Sequence, residues 1–326
     1  MWRCDGELKH VQETRSRATQ SRYDRFESAP TTDMYRGRFA PSPTGSLHFG
    51  SLVAALGSWL FARAAVGGWI VRMEDLDRER EAPGAADGIL RTLVAFGLES
   101  DAPVIYQSRR TDAYATALER LEASGNAYRC WCSRSDLQTF AGIHPAECVA
   151  RAGTRAPAWR VRANDEVIGF DDAIQGAIRQ DLRRDVGDFV VWRADGECAY
   201  QLAVVVDDAA QDITDIVRGA DLLESTPRQI LLHRLLGLTQ PTYAHLPIAL
   251  GHDGRKLSKQ DQALAVDADD PLPALRAALR FLGQPMSAAR NPAALLSRAV
   301  AEFDPTRIPA RVAAAAPYAA ARKDVC

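Results

Sequence analysis

Ordered patterning of apolar and polar positions begins abruptly at Met34, where a short strand-like stretch runs into Pro41-Ser42-Pro43-Thr44-Gly45. Residues 1–33 are polar and without periodicity, and are expected to be a disordered extension or a misassigned start. Leu52, Leu56, Trp59 and Leu60 then recur at helical spacing, which predicts a helix over about 51–65. Trp69 to Met73 reads as the buried strand that completes a βαβ unit. The apolar run from Leu52 to Val71 does not read as a membrane span, because Arg63 interrupts it and Gly67-Gly68 divides it. A second helix follows Pro83, with Ile89, Leu90, Leu93 and Phe96 on one face and Gly97 as its stop. A third is predicted over 111–123. Between Trp159 and Asp208 turns alternate with β-rich runs, and Phe189 to Trp192 and Tyr200 to Val206 are read as strands. A helix over about 227–236 leads back to a strand, and the alanine-rich C-terminal stretch reads as helix.

Composition narrows the class. With 326 residues, 47% apolar and 25% charged, the chain can bury a large core, which excludes a disordered or fibrous protein. Net charge is −2, so any nucleic acid must be held by local patches. From Pro271 onward eight Lys/Arg stand against three Asp/Glu, a pattern that fits an RNA-facing surface and an ordinary solvated helical face equally well. The first thirty residues lack the apolar core of a signal peptide, and the six cysteines are not spaced as a secreted disulfide framework. A cytoplasmic monomer without membrane contact is expected.

Two segments carry candidate chemistry. His48 and the small residues Gly50 and Ser51 stand at the mouth of the first helix, where free backbone amides and the positive end of the helix dipole favour an anion. Far along the chain, Lys256-Leu257-Ser258-Lys259-Gln260 follows the glycine-rich run Gly251-His252-Asp253-Gly254-Arg255, so its ammonium groups can close over phosphates. Each alone is compatible with a capping histidine or a solvated loop. Together they read as a nucleotide site with His48 and Lys259 as the catalytic pair and His48, Gly50, Ser51, Lys256 and Lys259 around ATP and its Mg²⁺. It is not a Walker loop, since no Gly-x-x-x-x-Gly-Lys-Ser/Thr occurs.

A third constellation is Cys130-Trp131-Cys132 with His144 and Cys148, spaced C-x-C-x11-H-x3-C on a turn-rich segment. Four borderline-soft ligands suit tetrahedral Zn²⁺, and with every position filled by protein the ion would be structural. Buried or free thiols beside an incidental histidine are the alternative.

The segment Arg38 to Ser51 resembles the HIGH-type signature of class I aminoacyl-tRNA synthetases in its glutamyl form, and Lys256 to Gln260 resembles their KMSKS-type loop. Arg72-Met73-Glu74-Asp75-Leu76-Asp77, Tyr200 to Asp208 and Asp215-Ile216-Val217-Arg218-Gly219 resemble further segments of the same enzymes. The resemblance implies an α/β fold, with a Rossmann-like catalytic domain in halves 34–108 and 191–262. It implies a zinc-bearing acceptor-type insertion over 109–190 and a short helical C-terminal region over 263–326. It further implies L-glutamate held by Arg38, Phe39, Ala40, Pro41, Ser42, Glu74, Tyr200 and Arg218. The tetrapeptide His48-Phe49-Gly50-Ser51 lacks the second histidine of the signature, and related zinc-bearing proteins often carry tyrosine where His144 stands. Only 66 residues follow Gln260, too few for the long anticodon-binding region of full glutamyl synthetases. The chain therefore resembles the short branch that activates glutamate without tRNA and attaches it to queuosine in the anticodon of tRNA(Asp). A shortened enzyme charging a tRNA 3′ end and a catalytically silent RNA-binding paralogue are the alternatives.

Overall fold

The computed structural model describes residues 34–153, 155–163, 165–251 and 265–315. The chain opens with β1 (Arg36–Phe39), α1 (Phe49–Ala64), β2 (Gly68–Met73), α2 (Ala85–Ala95), β3 (Ile105–Tyr106) and α3 (Thr111–Ala123). There follow β4 (Ala127–Cys130), β5 (Ala158–Val161), β6 (Val167–Asp172), β7 (Gly176–Asp181), the single turn α4 (Leu182–Asp185) and β8 (Phe189–Trp192). The remainder is α5 (Tyr200–Ala210), β9 (Asp215–Gly219), α6 (Thr226–Leu236), β10 (Thr242–Leu246), β11 (Ile248–Leu250), α7 (Pro271–Phe281), α8 (Pro292–Ala301) and β12 (Ala313–Ala315).

β1 and β2 run parallel from Arg36 opposite Gly68 to Phe39 opposite Val71, with α1 as the crossover. The main sheet has the order β3-β2-β1-β9-β10-β6-β7, parallel except for the last pair. Alternate strand residues feed two cores. Trp69, Val71 and Met73 pack with α1, α2, α7 and α8, whereas Ile70 joins α3, α5 and α6 on the other face. The chain proceeds outward from β1 to β3 on one side and from β9 to β10 on the other, so the order reverses between β1 and β9. Crevices at the carboxyl ends of strands open at such switch points.

Three sequence expectations change. Tyr200 to Val206 begins helix α5 rather than a strand. Every residue from Leu202 to Asp208 is buried, and a helix enclosed on all sides carries a continuous apolar run that its period cannot distinguish from a strand. In the alanine-rich stretch, Ala313–Ala315 forms β12, because the edge of β11 offers backbone partners from Ile248 to Leu250, and this pairing overrides helix propensity. Finally, within the segment expected as an insertion, β4, β5 and β8 form their own antiparallel sheet, but the β6–β7 hairpin joins the main sheet through Asp172 opposite Tyr243. Among the described residues no helix is long and apolar enough to cross a membrane.

Candidate active site

The switch point opens into a cleft of about 560 Å³. Its lining gathers Arg38, Phe39, Ala40, Pro41 and Ser42 from the end of β1, and His48, Gly50 and Ser51 from the start of α1. Glu74 after β2, Tyr200 at the start of α5 and Arg218 on β9 complete the set. Lys256 and Lys259 lie outside the described residues. The segment that carries them is flanked by cleft residues, since Ala249 lines the cavity and Ala265 bridges to His48.

His48 is the N-cap of α1, extended at φ −100° and ψ 169°, and its Nδ1 accepts from the Ser51 N–H at 3.3 Å. Ser51 Oγ lies 3.0 Å from Nε2. No acidic side chain occupies the first turn, so the helix terminus keeps its affinity for anions. Gly45, at φ 147°, allows the Pro-Ser-Pro-Thr-Gly loop to turn into that terminus.

Beneath the cleft lies a buried ionic network. Asp208 Oδ1 accepts from Arg38 Nε at 3.1 Å and pairs with Arg72 Nη1 at 2.8 Å, while Arg72 Nη2 reaches Glu74 Oε1 at 3.4 Å. Burial alone would raise the pKa of Asp208, but Arg38 and Arg72 outweigh it and hold the carboxyl at about 2. Burial raises Glu74 against the pull of Arg72 and Arg38. Asp207 accepts from Gln107 at 2.9 Å, from Tyr114 at 2.8 Å and from Arg110. Arg38, Arg72 and Arg110 are thus balanced by carboxylates.

Arg218 is not. The residue is 5% exposed, and among the described residues no carboxylate pairs with its guanidinium. Nε donates to His245 Nε2 at 3.1 Å and Nη2 to Thr226 Oγ1 at 2.8 Å, while Nη1 is buried without a partner. Arg218 lines the cleft, and a buried guanidinium with an unfilled donor and no carboxylate partner suits an anionic ligand. Asp208, Arg72, Thr226, Asp172 and His245 were missed as functional positions by the sequence reading. The pair Asp207-Asp208 at the end of an apolar run was the one available signal, because buried carboxylates need partners.

The zinc-type donors also converge. Ligand atoms of Cys130, Cys132, His144 and Cys148 all lie within 4.8 Å of one another. His144 Nδ1 donates to the Pro145 carbonyl at 2.7 Å, which leaves Nε2 free to face Cys130 Sγ at 3.2 Å and Cys148 Sγ at 3.9 Å. Burial lowers the His144 pKa and so favours the neutral, ligating imidazole. Gly187, at φ 69°, permits the close approach on which this depends, since a Cβ there would meet the His144 carbonyl oxygen at 2.2 Å. The donor set and its geometry fit a tetrahedral ion.

The sequence profile of tRNA synthetases class I (E and Q), catalytic domain, matches residues 34–152 and 151–297. Fold and site together are those of a class I tRNA synthetase of this type. The chain is 59% identical over 279 residues to the glutamyl-Q tRNA(Asp) synthetase of Xanthomonas campestris, covering 84% of this chain and 93% of that one. It is 57% identical over 272 residues to that of Dechloromonas aromatica, covering 80% and 90%. The chain belongs to the glutamyl-Q tRNA(Asp) synthetase family. Among solved structures, a glutamate tRNA ligase from Elizabethkingia meningosepticum, in complex with its amino acid, shares the fold at a TM-score of 0.74 and 24% identity, over 87% of this chain and 67% of that one.

Proposed function

We propose that this protein activates L-glutamate with ATP in the absence of tRNA and transfers the glutamyl group to the queuosine base in the anticodon of tRNA(Asp). The single observation that carries the amino-acid half of this reading is Arg218, a buried, cleft-lining cation without a carboxylate partner and with Nη1 unfilled. It suits the side-chain carboxylate of glutamate, while Glu74, bonded to Arg72 through one oxygen only, suits the ammonium group. Arg38, Phe39, Ala40, Pro41, Ser42 and Tyr200 form the walls that orient the substrate.

In the first step an α-carboxylate oxygen of glutamate attacks the α-phosphorus of ATP, and pyrophosphate leaves with its bond electrons. His48, Gly50, Ser51 and the amides of α1 are suited to the developing phosphate charge, with Lys256 and Lys259 closing over it. Mg²⁺ accompanies ATP as part of the substrate. In the second step a hydroxyl of the queuosine cyclopentenediol attacks the acyl carbon, and AMP departs. Proximity of the two bound groups supplies much of that rate. Zn²⁺ held by Cys130, Cys132, His144 and Cys148 would staple the β4–β5 region, with no open position for chemistry. We place this activity in the cytoplasm, in a monomer.

Glutamate-dependent ATP–pyrophosphate exchange tests the reading. Exchange without any tRNA is expected. Exchange that appears only after tRNA is added would favour a shortened glutamyl-tRNA synthetase, and none under either condition would favour a silent RNA-binding paralogue. Lys259→Ala should slow exchange on the order of 100-fold.

A further inference from the structure

Three strands that are distant in sequence and adjacent in the sheet converge behind Arg218. Asp172 ends β6, His245 lies on β10 and Arg218 on β9, and all three side chains are at most 5% exposed. His245 Nδ1 lies 2.5 Å from Asp172 Oδ2, and its Nε2 lies 3.1 Å from Arg218 Nε. Asp172 is fixed in turn. Its Oδ1 accepts from the backbone N–H groups of His245 at 3.0 Å, Ile174 at 3.0 Å and Gln175 at 2.9 Å.

We propose that His245, locked by Asp172, is a positioning residue that sets how Arg218 presents itself to the substrate and thereby sets selectivity for the glutamate side chain. This inference rests on the reading of Arg218 as the side-chain carboxylate site. The argument is one of donor and acceptor parity. An arginine Nε can only donate, so His245 Nε2 must be an unprotonated acceptor, and the ring proton must sit on Nδ1, where the Asp172 carboxylate receives it. Burial lowers the His245 pKa more than the bond to Asp172 raises it, which keeps the ring neutral. Burial raises Asp172, yet the bonds from His245 and Gln175 outweigh it and keep the carboxyl ionised.

With Nε held by His245 and Nη2 by Thr226, the side-on edge of the guanidinium is consumed inside the protein. Of its nitrogens only Nη1, at the distal end, has no partner within the protein, and Arg218 lines the cleft. A substrate oxygen meeting that end must be an acceptor. A glutamine amide can turn only one acceptor toward it, whereas a carboxylate has two. Tyr243 stacks on the His245 ring at 6.2 Å, and the Arg218 Cζ lies 5.8 Å from the Tyr243 ring, so the hydrogen bonds from His245 and Thr226 are what fix the guanidinium within this packed group. Freed from His245, Arg218 would regain rotamer freedom and lose this fixed presentation.

The test compares exchange kinetics for the unmodified protein, His245→Asn and His245→Gln at varied glutamate and ATP. Asparagine can keep a donor near the Nδ1 position for Asp172 but leaves Arg218 Nε without an acceptor. Glutamine can return an oxygen near the Nε2 position. His245→Asn is expected to raise KM for glutamate about tenfold or more, to leave KM for ATP within about twofold, and to narrow the preference for glutamate over glutamine. His245→Gln should recover most of both effects. An unchanged KM for glutamate in the asparagine variant, parallel rises for glutamate and ATP, or no recovery with glutamine would overturn the inference. A second measurement does not depend on the variants folding. The ¹⁵N shifts of the His245 imidazole should report a protonated Nδ1 and a bare Nε2 at neutral pH, and the opposite tautomer or an imidazolium would overturn it. Absence of glutamate-dependent exchange in the unmodified protein would instead overturn the functional reading, and the imidazole shifts would still decide the arrangement of Arg218.

Discussion

Asp208 accepts from Arg38 and pairs with Arg72 while only 2% exposed, so the placement of one cleft arginine and the partner of Glu74 both depend on a single carboxylate. Its folded pKa of about 2 lies below the ordinary 3.8. A depressed carboxyl stabilises the fold above its unfolded pKa, and that contribution is lost as pH falls through the folded value. The contribution is about 2 kcal/mol, complete above about pH 5 and eroding between about pH 4 and 2. Asp208→Asn should cost about 3–5 kcal/mol at pH 7, because it leaves buried Arg38 without its charge partner and removes one of those of Arg72. Denaturation midpoints measured for both proteins from pH 7 to 2 should converge toward the acid end. A constant gap across that range would show that the lost interaction is not the ionic one.

At the scale of elements, the end of β4 and the long connection after it, which carry the zinc donors, depend on a backbone contact between Gly187 and His144. Gly187→Ala places a Cβ against the His144 carbonyl and demands a left-handed backbone from a residue that resists it, at a cost of about 1–3 kcal/mol for the conformation alone. Elemental analysis of protein purified without added metal should give one zinc per chain. Dialysis against a chelator should strip Gly187→Ala and Cys148→Ser before the unmodified protein, and exchange activity should partly survive the loss. Equal retention in all three would reject the four-residue site.

The elements also separate what the sequence carries from what it does not. Helices α2 and α3 were legible because each has one buried face and a clear stop, such as Gly97 at φ 75°, whereas α1 is buried nearly all round and was legible from its length and from Gly67-Gly68 beyond its end. Helix α5 was not, because its enclosure on all sides removes the polar positions that mark a helical period. The strand character of Ala313–Ala315 comes from the partner that β11 supplies and from nothing in the residues themselves.

For the whole molecule the decisive fact is the reversal of strand order between β1 and β9, which brings segments separated by well over a hundred residues to one cleft. Part of that lining was readable because it sits in short contiguous segments, Arg38 to Ser51 above all, whereas the run from Leu246 to Ala249 was not marked. The support behind them was not. Asp172 and His245 lie on strands other than that of Arg218, which the sequence did mark, and only the sheet places them beside it.

The central claim concerns the acceptor, and labelled glutamate offered with ATP to tRNA(Asp) with and without queuosine tests it most directly. Label is expected only on the queuosine-containing tRNA, and it should persist when the 3′-terminal ribose has been oxidised with periodate before queuosine is introduced. Equal labelling of tRNA lacking queuosine, or transfer that requires an intact 3′-terminal ribose, would contradict the account.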